Sequence, residues 1–537
     1  MSRIGIDEIL KYEPPEKRIR PEQPSENGQA AAKIGDVAPS QLDAEELLKA
    51  VEADEATAPL DEHAVRRLCG NFEKRMMKNT EMRVKFADDA GKFMESEIEL
   101  NVSVQEMHAI ATMPDLYPIL TESTTVQSLL QCLAHDNTDI AVAVIDLLQE
   151  LTDVDTLEES EEGAKVLIDA LVDGRVITLL VTCMDRLNEN EKDDADGVYN
   201  ALSVVENLLE FRPDLADKAH EFGLLMWLLR RVRHKGAFHG NKLYASEILC
   251  MIVQQSEEMR KVLGNKDGID IILQSLATFK RRDPESSDER ELMENLFDCM
   301  CAALMHTPNR QKFLDGEGLQ LMNLMLRERK DSRNSALKVL SYATNGVEGK
   351  QNCEKLVEIL GLRTLFPLFM RTPSKGKRKG GHTIGEHEEH VCAVLASLLR
   401  NCQPTTRQRI IAKFTEQDHA KVDRLVELHL RYARKVDAFK PAVPSLDDSG
   451  NSNQDVDELY VQKLDAGLFT LQLVDLILAD VCVNGVTSIG HRARKLLQMK
   501  QGSMQHVKRT LREYEQNLGD EAQSERKRVN ALIEHLE

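Results

Sequence analysis

Two histidines and a cysteine between positions 387 and 392 are the nearest this chain comes to a metal-ligand set. His387-Glu388-Glu389-His390 is similar in composition to a zinc-protease helix, but that helix needs histidines at i and i+4 to face one ion. Here they stand three apart. His382 and Cys392 are close enough in sequence to complete a tetrahedral set. The simpler expectation is a solvated helix start with Cys392 buried. Cys299 and Cys301 project about 200° apart on a helix, so they cannot chelate one ion and read as core. The loop Lys375-Gly-Lys-Arg-Lys-Gly-Gly-His382 is basic and glycine-rich, yet lacks the Gly-Lys-Ser/Thr that cradles phosphate in a P-loop. No G-x-S-x-G, supported Cys–His pair or G-x-G-x-x-G occurs. The expectation is a chain that is not an enzyme, with no catalytic residues, no metal and no cofactor.

The elements that carry these residues repeat. Gly174, Gly223, Gly268, Gly318 and Gly361 each introduce an apolar helix, at separations of 49, 45, 50 and 43 residues. A copy at Val126 lacks the glycine and lies 48 residues before Gly174. Each apolar helix leads through a charged turn into a longer one: 139–151, 195–210, 242–254, 289–305, 333–343 and 386–400. Glycine at such a junction permits positive φ and close backbone approach. Neither helix buries its apolar face alone, so the units must stack. A helical period of this length is that of armadillo and HEAT repeats. The expected fold is all-α: a right-handed superhelical solenoid of about six repeats with helical caps at both ends and no β-sheet.

Residues 1–58, acidic and proline-containing, read as a disordered tail with a possible short helix over 42–52. Residues 59–121 read as an N-terminal helical cap and 122–402 as the repeats. Residues 403–439 continue the solenoid, 440–455 form a linker or surface loop, and 456–537 form a C-terminal helical domain. The segment from Leu464 to Leu478 is apolar on most sides and should be buried.

Across 537 residues, 69 basic side chains face 90 acidic ones, a net charge of −21. Such a surface repels phosphate backbones, so direct nucleic-acid binding is not expected, and basic segments are the matched partners. No apolar run approaches the ~20 residues that span a bilayer, so no membrane role is expected. Ten scattered cysteines without a CxxC suit reduced, buried thiols. In the tail, Lys17, Arg18 and Arg20 form a K-R-x-R cluster that an import receptor could read.

Several long strings resemble the beta-catenin-like protein 1 family. They include Glu106-Met-His-Ala-Ile-Ala-Thr-Met-Pro-Asp-Leu-Tyr, the stretch from His135 to Asp153, Glu161-Glu-Gly-Ala-Lys-Val-Leu-Ile-Asp-Ala-Leu-Val-Asp-Gly and Leu464-Asp-Ala-Gly-Leu-Phe. The resemblance runs from about Pro59 to Asp520. It implies a nuclear armadillo-repeat scaffold or adaptor of the spliceosome-associated pre-mRNA-processing factor nineteen complex. It further implies binding to basic, localisation-signal-like segments of the cell-division-cycle-5-like splicing factor and, in vertebrate relatives, to activation-induced deaminase. The alternative is a transport receptor of the importin-alpha type, whose longer helices carry Trp and Asn four residues apart. The corresponding pairs here are Asp146/Glu150, Ser203/Asn207, Glu247/Met251, Asp298/Ala302, Lys338/Tyr342 and Ala393/Ser397. Tryptophan is absent from all of them. The same register suggests an acidic groove of Asp146, Glu150, Asn207, Glu247 and Asp298 that meets lysines and arginines of an extended partner.

Overall fold

The computed structural model describes residues 60–233, 238–372, 383–440 and 452–536. Lys17, Arg18 and Arg20, the helix anticipated over 42–52 and the basic stretch 375–379 lie outside them. Among the described residues the regular structure is helical throughout, without a strand. Leu60–Glu537 forms one compact unit.

The chain opens with α1 (Glu62–Lys85) and α2 (Met94–Glu106). Three-helix units follow. The first is α3 (Tyr117–Glu122), α4 (Thr125–Cys132) and α5 (Thr138–Leu151). The second is α6 (Glu161–Asp173), α7 (Val176–Met184) and α8 (Lys192–Phe211). In the third, 3-10 turns over Pro213–Lys218 stand where a first helix would be, before α9 (Leu224–Arg233) and α10 (Gly240–Gln255). The fourth is α11 (Glu257–Asn265), α12 (Gly268–Leu276) and α13 (Ser287–Ala303). The fifth is α14 (Thr307–Asp315), α15 (Gly318–Glu328) and α16 (Arg333–Thr344). The sixth is α17 (Lys350–Glu358), α18 (Leu362–Met370) and α19 (Ile384–Asn401).

The repeating unit therefore has three helices, one more than the sequence pattern suggested. The additional first helix is short, with two to four buried residues in α11, α14 and α17. Its ends are set by local chemistry: the Ser256 hydroxyl accepts from the Met259 amide at the start of α11, and Pro308 occupies the first turn of α14.

The junction glycines act mainly through close approach. Only Gly223 itself takes positive φ (79°); at the other junctions the left-handed residue is a neighbour, Arg175, Asp267, Glu317 or Leu360. A Cβ on Gly268 would fall 2.5 Å from Leu263 Cγ, one on Gly318 2.3 Å from the Phe313 ring, and one on Gly361 2.6 Å from Leu356 Cδ1. The partner is five residues earlier each time, on the first helix. The missing Cβ lets the second helix fold back tightly over that apolar side chain.

After the sixth unit the arrangement recurs in α20 (Pro404–Ala412), α21 (Glu416–Asp437) and α22 (Phe469–Asn484). A π turn over Leu464–Leu468, with Gly467 at φ 117°, feeds α22. The 27-residue helical stretch Glu458–Asn484 is long and apolar enough to cross a membrane, contrary to the expectation that no run approaches that length. However, 72% of its most apolar window is buried inside the protein, so it behaves as a core helix. Its two fully buried acids are paired: Asp475 with His429 at 2.5 Å, and Asp480 with Arg407 at 2.7 Å and Arg528 at 3.1 Å. Helices α23 (Thr487–Met499), α24 (Met504–Gln516) and α25 (Gln523–His535) close the end.

Candidate functional site

The third helices pack in series, each against the next: α2, α5, α8, α10, α13, α16, α19 and α22. Their sides toward the core carry aliphatic residues, such as Val144, Leu148, Val205, Leu249, Leu296 and Leu340, all 1% exposed or less. Their other side presents half-buried polar residues, and the anticipated groove positions fall there.

These residues bridge consecutive helices. Asp146 on α5 accepts from Asn200 Nδ2 on α8 at 2.6 Å, and burial raises its carboxyl above the usual range. Asn207 Nδ2 on α8 reaches Thr152 Oγ1, just beyond α5, at 3.5 Å. Glu206 on α8 accepts from the Tyr244 hydroxyl on α10. Asn295 Nδ2 on α13 donates to Ser246 on α10 at 3.2 Å. Lys338 on α16 donates to Asp298 on α13 at 2.7 Å. Burial works against the Lys338 ammonium, but that bond holds its pKa above the ordinary value. Thr470 on α22 donates to Glu389 on α19 at 3.2 Å. Glu150 is half exposed and pairs with His108 Nδ1 at 2.7 Å, while Glu247 on α10 is half-buried and also engaged.

The five anticipated residues thus lie on successive or adjacent third helices, but as rungs with partners rather than as free acids. A cation arriving at Asp298 competes with Lys338. Sequence reasoning missed Tyr199, which is 50% exposed on α8 with its ring 4.9 Å from that of Tyr244. Beside this pair Asp196 is exposed, and together they offer an aromatic-and-acid patch for a cationic chain. The signal available was a tyrosine three residues after an acid, a spacing that puts both on one side of α8.

The expectation of a solvated helix start at 387–390 is overturned. His387 and Glu388 are 3% and 4% exposed. Glu388 accepts from Arg424 Nη2 (2.8 Å), Arg431 Nη1 (2.6 Å), Thr372 Oγ1 (2.7 Å) and the Tyr432 hydroxyl (2.9 Å). Burial alone would raise its carboxyl, yet Thr372, Tyr432 and Arg431 together hold it below the usual range. The physical reason is packing: Arg424 on α21 is buried beside Glu388 and needs a buried counter-charge, while the half-exposed Arg431 reaches the same carboxylate from the rim. Cys392 is buried, as anticipated, as are Cys299 and Cys301. Among the described residues no three His, Cys, Asp or Glu side chains gather in a metal-binding group.

A family model described as "Catenin-beta-like, Arm-motif containing nuclear" matches residues 42–512. Beta-catenin-like protein 1 of Homo sapiens is 52% identical over 490 residues, spanning 89% of this chain and 87% of its own length. The Bos taurus protein of that name is 52% identical over 492 residues, with the same coverage of both chains. The Beta-catenin-like protein 1 homolog of Schizosaccharomyces pombe is 31% identical over 477 residues, spanning 88% of this chain and 82% of its own. With three-helix units stacked through their third helices and a family match across most of their length, the chain belongs to the catenin-beta-like family of nuclear armadillo-motif proteins.

Proposed function

We propose that this protein is a non-enzymatic nuclear adaptor whose third-helix face receives basic, extended segments of splicing factors. In this reading it serves the spliceosome-associated pre-mRNA-processing factor nineteen complex, with the cell-division-cycle-5-like factor as one source of such segments. The carrying observation is the run of polar rungs on α5 to α16, rich in carboxylates and flanked by exposed Asp196 and Tyr199, on a chain of net charge −21. Each rung contributes modestly, about 0.2–1 kcal/mol for an exposed charge pair, so affinity comes from number and from electrostatic steering. An importin-alpha mode is disfavoured because the six groove pairs hold no tryptophan and asparagine only at Asn207.

The test is fluorescence anisotropy with a basic peptide from the cell-division-cycle-5-like factor. Asp196→Lys with Glu150→Lys should weaken binding about tenfold at low salt, and the parent's affinity should fall steeply as salt rises. Equal affinity of parent and variant would refute the assignment of the face. Nuclear residence, with Lys17, Arg18 and Arg20 as the signal, is checked by replacing those three with alanine and imaging the full chain.

A further inference from the structure

A strongly basic cavity lies elsewhere on the described surface. About 550 Å³ in volume, it opens between the fifth and sixth units and the start of α21. Arg329 follows α15, Arg333 begins α16, Arg363 lies on α18 and Arg371 follows α18, and all four line it. Lys413 and Lys421 add two more cations against a single carboxylate, Glu416. That carboxylate is already shared by both lysines, at 2.7 and 3.2 Å. No carboxylate among the described residues pairs with any of the four arginines, in a chain with 21 more acids than bases. The Arg333 Nε is buried without a hydrogen-bond acceptor. Burial, with Arg329 nearby, pushes the Arg333 guanidinium below its ordinary pKa.

Four arginines around one cavity, whose single carboxylate is already taken by two lysines, suit a ligand that brings negative charge and many acceptor oxygens. Each planar fork can take two oxygens of one phosphoryl group, and a phosphate monoester carries about −1.5 to −2 charges at pH 7, against −1 for a carboxylate. One wall is apolar, formed by exposed Pro367 and half-buried Met370. That wall suits an apolar side chain next to the phosphoryl group. RNA fits less well: Phe366 is only 4% exposed, leaving no open ring for base stacking, and the acidic surface repels a long phosphodiester. We propose that the arginine-lined cavity between α15, α16, α18 and α21 binds a phosphorylated segment of a partner protein, with an apolar side chain set against Pro367 and Met370.

The experiment uses the full chain and a short fluorescent peptide carrying two phosphoserines beside a leucine. Its unphosphorylated twin, inositol hexakisphosphate and single-stranded RNA serve as comparison ligands. The phosphopeptide should bind at least about tenfold tighter than its twin, and Arg363→Gln with Arg371→Gln should abolish most of that preference. Both positions are exposed, and circular dichroism and the melting temperature should match the parent. Should that pair misfold, Arg329→Gln, exposed at the end of α15, gives a second reading. The basic splicing-factor peptide should bind the double variant as it binds the parent, which separates this site from the third-helix face. Equal binding of phosphorylated and plain peptides, undiminished binding to the folded variants, or binding of RNA or inositol hexakisphosphate alone would overturn the proposal.

Discussion

Lys338 on α16 reaches back across one repeat to hold Asp298 on α13, Nζ to Oδ1 at 2.7 Å. The Asp298 carboxylate is therefore already occupied. Replacing Lys338 with methionine should free it and tighten a basic peptide about threefold, while Asp298→Asn should weaken it by a similar factor, both within the range of a partly exposed pair. Titration of the two variants with one peptide checks the prediction; the same affinity for both would mean that Asp298 does not touch the ligand.

Gly318 offers a stability test at a junction. Its Cβ would fall 2.3 Å from the fully buried Phe313 ring, which has no room to swing aside. Gly318→Ala should cost about 1–3 kcal/mol, the usual price of overpacking. By contrast Gly223→Ala meets only Val181 at 3.7 Å, and its cost should come from positive φ instead, about 1 kcal/mol. Urea denaturation of the two variants distinguishes a packing penalty from a backbone one: adding Phe313→Leu should relieve the first and leave the second unchanged.

Glu388→Gln removes the counter-charge from Arg424, whose side chain is 9% exposed. Breaking a buried pair by deleting one partner costs about 3–5 kcal/mol. Because repeats contact only their neighbours, hydrogen exchange should quicken in α19 and α21 and stay unchanged in α5. Uniform quickening along the chain would contradict that locality.

Acid should loosen the protein through histidines kept neutral. Burial lowers His135, with Arg83 adding to it, and lowers His387, which also faces Arg333, Arg424 and Glu388. His506 is lowered by burial, then by His429 and Arg509, with Asp475 and Asp437 opposing. Each folded pKa lies below 6.5, so the unfolded chain takes up protons first as pH falls. Their contribution is complete above that value and lost as pH drops through the folded pKa values. Below about pH 4.5 the depressed Glu388 adds a further loss, while Asp146 and Glu389, raised by burial, work the other way. Melting temperature should decline from pH 7.5 to 5.5, and less steeply in His506→Gln.

The repeat was legible because its spacing is local: glycine and the apolar run of the second helix lie side by side in sequence. The first helices were not, since Glu257–Asn265 or Lys350–Glu358 bury few residues amid charge and carry no long apolar run. Helical spacing was enough to put Asp146, Glu247 and Asp298 at equivalent positions of successive third helices, and all three are half-buried. Their occupancy was not readable, because Asn200 and Lys338 are 54 and 40 residues from the acids they hold. Glu388 was misread for the same reason: Arg424 and Tyr432 lie 36 and 44 residues downstream.

The series of third helices from α2 to α22 should also make the described molecule elastic. Apolar contacts form the coil, and rungs such as Asp146–Asn200, Glu206–Tyr244 and Asp298–Lys338 tie its turns along one face. Tension on the ends would load these ties together, as links in series, and the weakest would give first, so the coil should yield in small steps. A single-molecule pull should then trace a staircase of short extensions instead of one rupture.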